Sequence, residues 1–326
     1  MPTDSDVIVD RRRMRRKLTF WRVLAALGVI VAVVAVGTLA TPAGRSALIS
    51  SHAIARVKID GLIRSDAARV EAFERLEKSS AAAVIVHINS PGGTTAGSEQ
   101  LYDALMRLKA KKPMVVVVEG LAASGGYIAA LASDQIIAQQ TALVGSIGVL
   151  FQYPNFTDLM KTVGVKVEEV KSSPLKAAPN GFEPTSPEAR AALDALVKDS
   201  YAWFRGLVKD RRKMDDATLQ TVADGRVFTG RQAVGLKLID QLGDEKTAVA
   251  WLVSEKKIDK ELPVKDFKLT PRFGDMTFLR ATAGVALDTF GLGSFARQME
   301  QSGVVQAVDR FGLDGMLALW QPASGN

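Results

Sequence analysis

Cysteine is absent from this chain of 326 residues. That excludes disulfides, a thiolate nucleophile and any zinc–thiolate centre. Histidine is nearly absent: His52 and His87 are the only two, too few for a His-rich metal site. There is no P-loop and no GxGxxG following a strand, so nucleotide cofactors have no footprint. Neither a metal nor a cofactor is expected. Concentrated charge is also lacking over most of the chain. The formal net charge is +7, and residues 1–22 supply +4 of it through seven Arg and Lys against three Asp. The remaining +3 is thinly spread, which argues against a nucleic-acid face.

The basic N-terminus has a different meaning. Val23 to Ala40 reads VLAALGVIVAVVAVGTLA, eighteen residues without a charge. With Leu18, Phe20 and Trp21 ahead of it, the stretch reaches the ~20 residues that span a bilayer core. Its flank RRRMRRK carries six positive charges, which by the positive-inside rule stay in the cytoplasm. The expectation is a basic cytoplasmic tail over 1–17, a transmembrane helix over 18–40 and a polar linker over 41–52. The rest would then lie on the periplasmic or extracellular side of the plasma (inner) membrane. A cleaved signal peptide has a shorter apolar region of ~7–15 residues before small residues. Small residues near Thr38–Ala43 keep cleavage open, but the length favours an uncleaved, single-pass anchor.

Beyond the linker, strand and helix patterns alternate. Strands are expected at Ile54–Ile59, Ala81–Ile88, Val115–Val118, Ile136–Ala138, Ile147–Phe151 and Val165–Val170. Helices are expected at Asp66–Lys78 (capped by Ser65), Ala96–Lys109, Gly125–Ala132, Phe156–Val163 and Pro187–Lys213. A final α/β unit covers Val227–Asp240, with Thr229 as helix cap, before a helix at Glu245–Glu255. The near-continuous apolar run AAAVIVHI suits a parallel strand buried on both faces. Such alternation predicts an α/β domain of βαβ units with right-handed crossovers. Residues 259–326 are less regular, with apolar patches at Phe278–Leu287 and Met316–Trp320.

Two glycine-rich segments follow buried strands. Asn89-Ser90-Pro91-Gly92-Gly93 is read as a turn after the second strand, and Gly120-Leu-Ala-Ala-Ser124-Gly125-Gly126-Tyr127 follows the third. Ligands of open α/β sheets bind beyond the carboxyl ends of strands. A serine on a tight strand-to-helix turn exposes its Oγ, and the Gly125 N–H beside it can hold an oxyanion. Gly93 can offer a second N–H, since a missing Cβ permits close backbone approach. Each segment alone could be a simple turn; their pairing favours a site.

A nucleophilic serine needs a base. His52 lies in the linker and His87 within an apolar strand, where it remains a weak alternative. Lysine can serve once desolvation lowers it from its ordinary ~10.4. Lys176, in SSPLKAAPN, has no charged neighbour within four residues on either side. Lys161, Lys166, Lys171, Lys209 and Lys213 sit in mixed-charge or element-end settings. Context thus ranks Lys176 first without closing the question.

The order SPGG, AASGGYIAALASD, GSIGV and SSPLKAAPNGFEP resembles the signal peptide peptidase family (SppA type) in its short form, over roughly Ile54–Ala250. The resemblance implies a Clp protease/crotonase-like repeated βαβ fold, with a peptidase domain over 53–258 and an extension over 259–326 that is a candidate oligomer contact. It implies Ser124 as nucleophile, Lys176 as general base and Ser146 as hydrogen-bond partner of that lysine. Gly93 and Gly125 would be the oxyanion donors. The family's tyrosine pair is here Tyr127-Ile128, which leaves a second tyrosine without support. Implied partners are peptides such as signal-peptide remnants, the lipid bilayer and a ring-shaped homo-oligomer, an octamer among the rings allowed; no nucleic acid is implied. A crotonase-like enzyme acting on acyl thioesters and a catalytically silent membrane scaffold are the competing readings. The first needs a CoA pool on the wrong side of the membrane, and the second needs neither Ser124 nor Lys176.

Overall fold

The computed structural model describes residue 21, residues 52–269 and residues 317–319. The expected tail over 1–17, the span over 18–40 apart from Trp21, and the linker apart from His52 lie outside the described residues. So does most of 259–326. Among the described residues no helix is long and apolar enough to cross a membrane. The chain divides at His52/Ala53, and every element below belongs to the second unit.

That unit opens with three strand–helix repeats. They are β1 (Ile54–Ile63) and α1 (Ala67–Glu77), β2 (Ala83–Thr94) and α2 (Thr95–Lys109), β3 (Met114–Ala123) and α3 (Gly125–Ala130). The three strands pair in parallel, β1 with β2 and β2 with β3. Val84, Ile85, Val86, Val115, Val116 and Val117 are fully buried. Helices cover both faces of this sheet, which is why these strands are apolar without alternation.

β3 then divides its outer edge. Its first half pairs with β4 (Gln135–Ala138) and its second half with β5 (Leu143–Gly145), both in parallel. β5 in turn takes β6 (Val227–Thr229) antiparallel, while β4 takes the short β7 (Gln241–Leu242) in parallel. On the far edge β8 (Val264–Asp266) lies parallel to β1. α4 (Thr157–Thr162) belongs to an exposed excursion. The long helix α5 (Pro187–Arg212) follows, then α6 (Asp216–Val222), α7 (Gly230–Gly235) and α8 (Glu245–Lys256).

The two layers of core differ in size. On one face α1, α2, α3 and α5 enclose the larger cluster, with Phe73, Leu105, Tyr127, Ile128 and Phe204 among its buried members. On the other, Ala248 and Leu252 of α8 cover Ile54, Ile85, Val115 and Ile137. Arg211 of α5 donates from Nε to the Leu131 carbonyl at 2.7 Å and from a terminal nitrogen to the Ser133 carbonyl at 2.8 Å. These bonds use carbonyls that the end of short α3 leaves open.

Four local expectations are corrected. Helix α1 is capped by Asp66, whose side chain accepts from the Arg69 N–H, rather than by Ser65. Ser90–Gly93 is not a free turn: β2 continues through it, still paired with β1 across a register shift. The strand expected at Ile147–Phe151 is replaced by β5, upstream at Leu143–Gly145. Val165–Val170 forms no strand; Val165, Val167 and Val170 are exposed and meet no strand edge.

Candidate active site

The third strand ends in a sharp turn. Ser124 caps α3 with φ 54° and ψ −117°, a left-handed conformation rarely adopted outside glycine. Neighbours hold it there. Its N–H donates to the Gly145 carbonyl at 2.8 Å, and its own carbonyl accepts from the Tyr127 and Ile128 N–H groups, both at 2.9 Å. The turn does not expose the Oγ as expected: Ser124 is 1% exposed, and its Oγ has no hydrogen-bond partner among the described residues. Native structures seldom leave a buried hydroxyl unpaired, and such exceptions mark strain, catalysis or an absent partner.

The two glycine-rich segments pack against each other. A Cβ on Gly126 would lie 2.7 Å from the Ser90 carbonyl oxygen, so only glycine permits this approach. A Cβ on Gly93 would lie 1.8 Å from the Ile63 carbonyl oxygen. Gly93 thus lies hard against β1, and Gly125 opens α3 directly after Ser124. Tyr127 is buried and donates its hydroxyl to the Leu238 carbonyl at 2.6 Å, with burial pushing its phenol upward. Its hydroxyl is committed to structure.

Ser146 follows β5, which pairs beside the end of β3 with Gly145 opposite Ala123. It is 7% exposed, has φ 51°, and donates its N–H to the Arg226 carbonyl at 2.8 Å. The structure therefore brings Ser146 to the Ser124 turn. It does not do so for Lys176, which lies on an exposed loop in the excursion between β5 and α5. The apolar surround expected for this lysine is not formed: Lys176 and both its neighbours, Leu175 and Ala177, are exposed. A cleft of about 660 Å³ runs along residues of 167–188, and neither Ser124 nor Lys176 lines it.

His87 is engaged elsewhere. Its Nε2 lies 2.8 Å from Glu245 and its Nδ1 lies 3.2 Å from Glu119. The Glu245 carboxylate also accepts two bonds from Arg56, at 2.5 and 2.6 Å. Those Arg56 bonds, opposed by burial and reinforced by His87, hold the Glu245 carboxyl below its ordinary range. Both imidazole nitrogens thus face carboxylates, and neither bonds the Ser124 Oγ. Among the described residues no group of three or more His, Asp or Glu could hold a metal ion.

Two features were not legible in the motifs. The Ser90 side chain, read only as part of a turn, is fully buried and bridges two backbone segments. The strand β9 (Leu317–Leu319) lies antiparallel along Gly92–Thr94, with Ala318 opposite Gly93. The apolar patch at Met316–Trp320 was the one sequence signal for the latter.

A model of peptidase family S49 matches residues 106–259, and a Clp protease model matches residues 64–143. Both matches include Ser124, whereas Ser146 and Lys176 fall within the peptidase match alone. A Synechocystis sp. protein named as a protease is 34% identical over 210 residues, covering 64% of this chain and 76% of its own length. An Enterococcus faecium protein named as a signal peptide peptidase SppA is 33% identical over 176 residues, covering 54% of this chain and 51% of its own. Among solved structures, a ClpP1 mutant from Listeria monocytogenes is similar at TM-score 0.40 and 15% identity, covering 58% of this chain and 91% of that one. On the Synechocystis match over three quarters of that relative, together with the family model, the chain belongs to peptidase family S49.

Proposed function

We propose that this chain is a membrane-anchored serine endopeptidase that hydrolyses signal-peptide remnants and other membrane-near peptides through a Ser124–Lys176 dyad. The observation that carries the reading is Ser124 itself. Its buried hydroxyl lacks a partner among the described residues, and its backbone has a positive φ where β3 turns into α3. Strain and an unpaired hydroxyl both cost stability, and a strained strand-to-helix turn is a known way to present a serine nucleophile. Membership of a peptidase family favours peptide hydrolysis over the acyl-thioester reading.

In this mechanism neutral Lys176 Nζ takes the Ser124 Oγ proton as Oγ bonds to the substrate carbonyl carbon. The carbonyl π pair moves to oxygen, where the Gly93 and Gly125 N–H groups stabilise it. The pair returns, the C–N bond breaks, and the protonated lysine gives its proton to the leaving amine. Water, deprotonated by the same lysine, then cleaves the ester and restores Ser124. Ser146 hydrogen-bonds Nζ and holds it in place.

Within one chain Ser124 Oγ has no partner among the described residues, and Lys176 is exposed. The dyad is therefore proposed to be completed in a ring-shaped homo-oligomer, with the lysine of one subunit reaching the serine of a neighbour. In support, the excursion carrying Lys176 also exposes Leu159, Val163, Val165, Val170 and Phe182, a concentration of apolar surface that suits an interface. In support of a peptide substrate, the Gly92–Thr94 edge pairs in antiparallel register with an extended segment, here the chain's own β9, whose place a peptide would take. The anchor over 18–40 rests on its uncharged length and basic flank.

Labelling with a serine-reactive fluorophosphonate tests the reading. A covalent adduct on Ser124, absent from Ser124→Ala, is expected by mass spectrometry. Labelling at another serine, or none in the assembled protein, would overturn it.

A further inference from the structure

Ser90 sits where three backbone segments meet, and nothing in the proposed dyad uses it. It is 0% exposed. Its Oγ donates to the Gly61 carbonyl of β1 at 2.6 Å and accepts from the Gly92 N–H at 3.1 Å. Both bonded residues have positive φ, 71° at Gly61 and 102° at Gly92. The regular ladders are interrupted here: the β1–β2 register shifts between Asp60 and Leu62, and the β2–β3 register between Ile88 and Ser90. A bulge leaves backbone groups without their usual partners, and the Ser90 hydroxyl supplies one partner on each side. The third contact is with the nucleophile turn, because the Ser90 carbonyl and Cβ form the wall against which Gly126 fits.

We infer that Ser90 is a positioning residue, fixing the Gly92–Gly93 segment relative to the turn that carries Ser124 and Gly125. This rests on the reading of Ser124 as nucleophile with Gly93 and Gly125 as oxyanion donors. Two N–H groups, one on β2 and one at the start of α3, stabilise a tetrahedral oxyanion only if the two segments keep a fixed spacing. The Oγ bridge ties the end of β2 to β1, and the Gly126 contact ties the same residue to the Ser124 turn. Ser90 therefore acts most where charge develops on the oxyanion, and less on strand-edge pairing of a peptide, since its Oγ bonds neither Gly93 nor Thr94.

The test compares wild type, Ser90→Ala and the near-isosteric Ser90→Cys, each checked for fold by circular dichroism and for assembly by light scattering. Turnover of a fluorogenic peptide is measured beside inhibition by a peptide aldehyde, which forms a tetrahedral adduct on the serine, and by a non-cleavable substrate analogue. Loss of one oxyanion donor lowers turnover about 100- to 1,000-fold, so loosening one should lower kcat about 10- to 100-fold, with KM within about threefold. Aldehyde affinity should fall in parallel with kcat and analogue affinity should hold, with Ser90→Cys between the other two. Wild-type kcat and aldehyde affinity in a folded Ser90 variant would overturn the inference, as would equal losses in affinity for aldehyde and analogue. A wild-type protein whose turnover survives Ser124→Ala would instead defeat the underlying reading, and this inference with it.

Discussion

The Ser124 N–H donates to the Gly145 carbonyl at 2.8 Å, which ties the Ser124 turn to the residue preceding Ser146. Both serines have positive φ, 54° and 51°, so two costly turns stand side by side. Ser146 is held from its far side by the Arg226 carbonyl just ahead of β6. β5 is thus a strut that fixes Ser146 beside the Ser124 turn.

Ser124→Ala and Lys176→Ala should each reduce peptide turnover by about 1,000-fold or more, with the double variant little worse. Lys176→Arg should fail equally, since a guanidinium stays protonated. Ser124→Ala should keep or raise stability by up to about 1 kcal/mol, because it removes an unpaired buried hydroxyl. Urea denaturation checks this, and clear destabilisation would mean the hydroxyl has a structural partner. If neighbours share the dyad, co-assembling the two inactive single variants should restore about a quarter of wild-type turnover at equal mixing. A dyad contained within one subunit would restore none.

Topology is checked with fusions after residue 326. A reporter active only in the periplasm should be active, and one active only in the cytoplasm silent. The reverse pattern removes the anchor and its orientation.

Close backbone approach makes Gly93 and Gly126 intolerant of a methyl group. Gly93→Ala would place Cβ 1.8 Å from the Ile63 carbonyl oxygen, and Gly126→Ala 2.7 Å from that of Ser90. Each should cost about 2 kcal/mol or more of stability and most of the activity. Gly206 of α5 has nothing within 4 Å of its would-be Cβ. Gly206→Ala should therefore stabilise by about 0.5–1 kcal/mol and leave turnover unchanged. Equal tolerance at all three sites in thermal melts would contradict the packing described.

Acid should release the Arg56–Glu245–His87 cluster. The folded Glu245 carboxyl lies below its ordinary range, chiefly through Arg56. Below its unfolded value of ~4.3 the unfolded chain binds more protons at this residue. The contribution is present above that value and is lost as pH falls through the lower folded value. Glu245→Gln should flatten the decline in melting temperature between about pH 5 and 3 relative to wild type. Parallel curves would show that the cluster carries no such linkage.

Local pattern was enough for much of this protein. Buried parallel strands announce themselves as apolar runs, so Ala81–Ile88 and Val115–Val118 were legible, as was a serine between a buried strand and two glycines. The Thr229 cap was legible too, because a capping box is made within four residues; its side chain accepts from the Gln232 N–H. Ser65 lost the cap of α1 to Asp66 because each could bond the backbone and only the entry of the chain from β1 chooses. Val165–Val170 reads as a strand by composition, yet a strand needs a partner edge, and sequence does not state whether one is near.

The α/β order, the uncharged span and the settings of Ser124 and Lys176 were readable along the chain, because those depend on neighbours in sequence. Tertiary structure alone decided what meets what. It placed Ser146 beside Ser124 through β5, spent both His87 nitrogens on Glu119 and Glu245, and buried Ser90 against Gly61 of a neighbouring strand. It also left Lys176 exposed. These are contacts between residues distant in the chain, set by strand register and bulges that no local pattern encodes.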